Sequence, residues 1–130
     1  MRNIVLLPHQ DESFVRDLQM TADLLLYLNV KSSPIYWCTS PLKMFEYMAA
    51  GIPVIASNFK LWKSIVEENN CGICVDPQNH KEITSAVEKL LKNPEIANEM
   101  GKNGQKIVKE FYNWKNEEKK LITFYKSLIE

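Results

Sequence analysis

Ser40-Pro41-Leu42-Lys43-Met44-Phe45-Glu46-Tyr47-Met48-Ala49-Ala50-Gly51-Ile52-Pro53-Val54-Ile55-Ala56-Ser57 reads as a short capped helix released through a glycine into a buried strand. Ser40 suits the helix cap, and Pro41 suits the first helical position, where its missing N–H costs nothing. The next amides, on Leu42 and Lys43, then have no partner inside the helix. They point outward at the positive end of the helix dipole, as an anion site requires. Lys43 and Glu46 stand three apart on one face, while Leu42, Phe45, Met48 and Ala49 form the apolar stripe. Gly51 fits a left-handed cap, and residues 52–56 form the apolar run expected of a strand covered on both faces by helices. The same features also suit an ordinary capped helix with Lys43–Glu46 as a surface pair.

Outward from this stretch, strands and helices alternate. Residues 3–7 and 22–28 read as apolar strands on either side of a helix over 11–20. A loop over 29–39 leads to the quoted stretch, whose strand over 52–56 is followed by a short helix over 60–67 and a fourth strand over 71–75. This rhythm predicts an α/β domain with about four parallel strands. The last third is helical. Asn79 and Glu82 form a capping box ahead of the stripe Ile83, Ala86, Val87, Leu90 and Leu91. Asn93-Pro94 opens a further helix, which Gly101 and Gly104 are expected to loosen or break, and Asn113 caps a last one. The packing stripes of these helices are read as core.

Composition narrows the function. The 130 residues carry 16 Lys and Arg against 16 Asp and Glu, and no basic stripe interleaved with aromatics marks a nucleic-acid surface. No apolar run approaches the roughly 20 residues of a membrane span. The start, Met1-Arg2-Asn3-Ile4-Val5-Leu6-Leu7-Pro8, is too short for a signal peptide, so the three cysteines are expected as reduced thiols in a cytoplasmic protein. Cys71-Gly72-Ile73-Cys74 admits a redox or zinc reading. However, no second pair accompanies it, His9 and His80 lack ligand spacing, and Cys74 sits in an apolar run, so packing is favoured.

The G-x-S-x-G elbow, the G-x-x-x-x-G-K-[ST] loop and the G-x-G-x-x-G turn are all absent, as is a D-x-D pair for a nucleotide-bound metal. A phosphorylation receiver domain would share the size and the acidic pair Asp11-Glu12. It would need an aspartate after the third strand, where Ala56-Ser57-Asn58 stands instead. By contrast, Glu46-Tyr47-Met48-Ala49-Ala50-Gly51 with Pro53-Val54-Ile55-Ala56-Ser57 closely resembles the second half of the E-x7-E and E-x-M-A-x-G-x-P-V-I-A-S pattern of retaining, GT-B-fold glycosyltransferases of the family 4, or group 1, type. Ile65-Val66-Glu67, Cys71 to Pro77, Leu90-Leu91-Lys92-Asn93-Pro94, Met100-Gly101 and Tyr112-Asn113-Trp114 continue that family's order over nearly the whole chain.

The resemblance implies a partial Rossmann-like C-terminal GT-B domain over 1–130, with the first strand–helix units and the N-terminal acceptor domain absent. It implies a role in moving a sugar from a nucleotide diphosphate sugar to a glycan or lipid-linked acceptor, without a metal or other cofactor. In it, Glu46 would accept hydrogen bonds from the ribose hydroxyls. Ser40 and the amides of Leu42 and Lys43 would hold the distal phosphate, and His9 and Gln10 would face the base. The resemblance names no catalytic residue in this chain. Two departures stand out. Cys38 occupies the position eight residues before Glu46 where the family has its sugar-orienting acid, and Thr39-Ser40-Pro41 replaces a glycine-rich turn. The Arg and Lys that the family uses for the pyrophosphate belong upstream of Asn3. Arg2 and Arg16, the two arginines present, are not at their places. The chain is therefore expected to be a fragment or one piece of a split enzyme completed by a partner chain, and inactive alone. In the cell the complete enzyme would work in the cytoplasm, at the inner face of the membrane. The alternative is a non-catalytic nucleotide-binding module.

Overall fold

The computed structural model describes residues 4–30 and 41–129. In chain order these form α1 (Glu12–Thr21), β1 (Leu25–Tyr27), α2 (Leu42–Ala49), β2 (Val54–Ser57), α3 (Lys60–Val66), β3 (Gly72–Val75), α4 (His80–Lys92), α5 (Pro94–Glu110) and α6 (Trp114–Ile129). The α/β expectation holds: the strands form one parallel sheet in the order β1-β2-β3. Leu25 is registered with Val54, and Val54 with Gly72.

The central strand explains the layering. Val54, Ile55, Ala56 and Ser57 are all buried, as a strand covered on both faces must be. Successive side chains point to opposite faces. Val54 and Ala56 accordingly join Met44 and Met48 of α2 and Trp62, Ile65 and Val66 of α3, while Ile55 joins Ala86 and Leu90 of α4 and Met100 of α5. Trp62 anchors the first core, its ring 5.1 Å from Tyr27 and 4.7 Å from Phe59.

Among the described residues three strands form, where about four were expected. Residues 4–7 are described but take no strand, and Leu6 is 92% exposed. A strand requires a ladder partner, and among the described residues none lies beside this apolar run. Asn3 lies outside the described residues. The other three strands form inside their expected ranges, except that Ser57 extends β2 by one residue.

Gly101 and Gly104 do not break α5, which runs unbroken over 17 residues. Both glycines are buried, and a Cβ at Gly101 would overlap the backbone carbonyl of Gly51. The helix-weakening residue is here the contact point between α5 and the exit of α2. Tertiary approach outweighs the roughly 1 kcal/mol of propensity that glycine forfeits. Gly51 itself has φ +76°, the left-handed conformation expected of it after a helix.

The caps show which sequence signals were specific. Asp11, expected within the first helix, caps it instead. Its carboxylate accepts from the Ser13 hydroxyl at 2.6 Å and from the Phe14 amide at 2.9 Å, and these bonds, in that order, lower its pKa. Asn79 Oδ1 accepts from the Lys81 and Glu82 amides. Glu82 turns to the Asp76 amide at 2.8 Å and to Asn79 Nδ2, because the Asn79 amide is already donated to the Asp76 carbonyl. Asn113 caps α6 by accepting from the Asn116 amide at 3.0 Å. Among the described residues no helix is long and apolar enough to cross a membrane.

Candidate functional site

α2 runs from the region ahead of β2 with Met44 and Met48 in the core and Lys43 and Glu46 on its exposed side. The helix starts one residue later than expected. Pro41 is the cap residue and Leu42 the first helical one, because the Pro41 carbonyl takes the Met44 amide at 3.1 Å and so opens the first turn. Leu42 and Lys43 hold the first two helical positions, whose amides have no acceptor within the helix itself. Ser40 and Cys38 lie outside the described residues.

Lys43 and Glu46 do not pair with each other, and among the described residues no ion pair engages either. The Glu46 carboxylate thus keeps its acceptor capacity. Its charge is felt by Tyr47, whose phenol is raised in pKa first by burial and then by the Glu46 carboxylate.

Opposite stands α1, which buries no residue. Between the two helices lies a cleft of about 720 Å³. His9, Gln10, Lys43 and Glu46 all line it, although 36 residues of sequence separate His9 from Glu46. Leu42 does not line it; its side chain is exposed and only its amide remains a candidate contact. The cleft's other wall is one face of α1, with Glu12, Val15, Arg16 and Gln19 at helical spacing. Sequence reasoning set Arg16 aside. The 12, 15, 16, 19 spacing could have shown that these residues share a face, but not that the face meets α2.

Chemically, the cleft offers a wall of cation and carboxylate from α2, a second cation from α1, and an imidazole and an amide from residues 9–10. Arg16 is held by Glu12 at 2.7 Å, with both side chains largely exposed. The mixture suits a ligand with hydroxyls at one end and negative charge at another. Ser57 ends the central strand fully buried. Its hydroxyl accepts from the Asn29 amide at 2.7 Å and donates to the Asn29 carbonyl at 2.8 Å, fixing the chain where it leaves β1.

The Cys-x-x-Cys thiols stand apart from this cleft. Cys71 is fully buried in the first core and Cys74 packs against it, both unpaired. Burial pushes Cys71 up to about 11. Burial, and then the Glu67 charge, push Cys74 up to about 12, which leaves both thiols protonated and unreactive near neutrality.

Known proteins resemble this chain in sequence and fold. An uncharacterized glycosyltransferase of Methanocaldococcus jannaschii is 33% identical over 85 residues, 65% of this chain and 22% of its own. Spore coat protein SA of Bacillus subtilis is 28% identical over 100 residues, covering 72% of this chain and 26% of its own. The chain thus spans about a quarter of the length of the curated relatives it matches. Sucrose-phosphate synthase from Thermosynechococcus elongatus superposes with a TM-score of 0.83 at 25% identity, over 98% of this chain and 31% of the synthase. The profile of the family described as glycosyl transferases group 1 matches residues 3–107, from ahead of the cleft's first residues to the helix that packs behind it, and the chain belongs to that family.

Proposed function

We propose that this chain is the donor-binding part of a retaining glycosyltransferase that moves a sugar from a nucleotide diphosphate sugar to a glycan or lipid-linked acceptor. The observation that carries the reading is the meeting of His9, Gln10, Lys43 and Glu46 around one cleft, with Glu46 free of any cationic partner among the described residues. In this reading the ribose hydroxyls donate to Glu46, whose carboxylate can take two donors at once. The amides of Leu42 and Lys43, with Ser40 ahead of them, hold the distal phosphate at the start of α2. His9 and Gln10 face the base. The leaving diphosphate is stabilised by helix-terminus amides and basic side chains rather than by a metal. The work belongs in the cytoplasm, with the acceptor at the inner membrane face.

Calorimetric titration of UDP, ADP and GDP into the wild type and Glu46→Ala tests the site. The variant is expected to bind about tenfold more weakly, as for the loss of charge-assisted hydrogen bonds. Equal affinities would remove Glu46 from the ribose role.

A second reading, a subunit of a split glycosyltransferase completed by a partner chain, is favoured by one feature. Residues 4–7 carry exposed apolar side chains with no strand beside them, and β1 is paired on one side alone among the described residues. Uncovered apolar surface and an open edge are what a missing neighbour leaves behind. Both readings expect no turnover from residues 1–130 by themselves. Sugar transfer by the purified chain, followed with a radiolabelled donor, would contradict them.

A further inference from the structure

We infer that Arg16 is a further ligand-binding residue of the cleft, its guanidinium taking the diphosphate of the bound nucleotide. The inference rests on the donor-site reading above. The family resemblance places the diphosphate's cations in strand–helix units upstream of Asn3 and gives Arg16 no part.

The fold gives it one. Arg16 lies on the face of α1 that forms the wall opposite Lys43 and Glu46, so the cleft has a cation on each side. The acids that share the cleft are already differentiated. Asp11 is committed to capping α1, and Glu46 is unpaired on the far wall. Glu12 holds Arg16 in a side-chain pair one helical turn away. That pair is 68% and 87% exposed, the kind of solvent-screened surface contact that contributes little to stability. It is therefore cheap to exchange. A diphosphate offers the guanidinium two parallel acceptors in place of one exposed carboxylate, and a planar fork matches phosphate geometry better than it matches solvent. Glu12 then acts as the placeholder that orients Arg16 along the wall while the cleft is empty.

Titration of UDP, uridine and inorganic pyrophosphate into the wild type, Arg16→Gln, Glu12→Gln and Glu46→Ala tests this. Arg16→Gln is expected to weaken UDP and pyrophosphate about tenfold and to leave uridine unchanged. Glu12→Gln, which frees the guanidinium, is expected to tighten both anions about two- to threefold. Arg16 is exposed, so its variant should melt at the wild-type temperature, and that measurement guards against misfolding. Arg16→Gln binding UDP and pyrophosphate as tightly as wild type overturns the inference. If Glu46→Ala alone weakens UDP, the donor reading stands without Arg16. If Arg16→Gln alone weakens both anions and Glu46→Ala changes nothing, Arg16 stands as a phosphate contact and the ribose role falls. A wild type that binds neither pyrophosphate nor any of UDP, ADP and GDP overturns both.

Discussion

The two ends of the sheet are built from equally apolar sequence and end in opposite environments. At the β2–β3 end, Val54, Ile55, Ala56 and Val75 are buried between helices on both faces. At the β1 end, Leu26 is half-exposed, α1 buries nothing, and Ile4, Val5, Leu6 and Leu7 face solvent. Hydrophobicity selects candidates for burial, but a neighbour must exist to cover them. The difference is one of available partners rather than of residue type. It also places the cleft at the boundary between a well-packed half and a sparsely packed one.

Three measurements would break or sharpen this contrast. The largest effect is expected from Trp62→Ala, which empties the aromatic anchor of the first core and should cost about 3–5 kcal/mol in urea unfolding. A loss under about 1 kcal/mol would mean that the covered half is no better packed than the open one.

Next in size is the response of the buried thiols to pH. Folding raises both thiols from 9.0, to about 11 for Cys71 and about 12 for Cys74. Above pH 9 the unfolded chain has given up protons that the native chain keeps. Their contribution to stability is therefore whole below pH 9 and is lost as pH climbs toward 11 to 12. The urea midpoint should fall across that window. Peptide mapping after iodoacetamide at about pH 8 should find both thiols unmodified until the protein is denatured. Rapid native alkylation would place β3 on the open side of the comparison.

The smallest effect is expected from Leu6→Ala, under about 0.5 kcal/mol, because no core surrounds that side chain. If a chain supplying the strand–helix units expected upstream of Asn3 is added, the same substitution should become costly. A large loss in the chain alone would show that residues 4–7 are already packed.

How far the sequence could be read follows from the range of each signal. The run over 52–56 marked β2 because burial on both faces leaves a continuous apolar stretch, and Asn79 and Asn113 marked helix starts because a cap is a contact within four residues. Residues 4–7 carry the same strand signal as β2 and fail to become one, since periodicity does not report whether a partner strand is near. Gly101 was misread for a related reason. Helix propensity is a local quantity, whereas the Gly51 carbonyl that requires a glycine there arrives from 50 residues away in the chain. At the cleft, His9, Gln10, Lys43 and Glu46 were named through family resemblance, and the fold brings all four to one cleft. Arg16 was not, because its value depends on which helix faces α1. The absence of a Lys43–Glu46 pair was equally invisible, since spacing permits such a contact without enforcing it.

The close approach of Gly101 to Gly51 has a mechanical meaning for the cleft. α2 is clamped at its exit by the backbone of α5, tied again where Gln105 donates to the Ala49 carbonyl at 3.3 Å, and weighted into the core by Met44 and Met48. Among the described residues α1 has no comparable moorings. The cleft is thus a vice with one fixed jaw. A change in its width would fall on the α1 side, because Lys43 and Glu46 ride on the helix that the core and α5 hold in place.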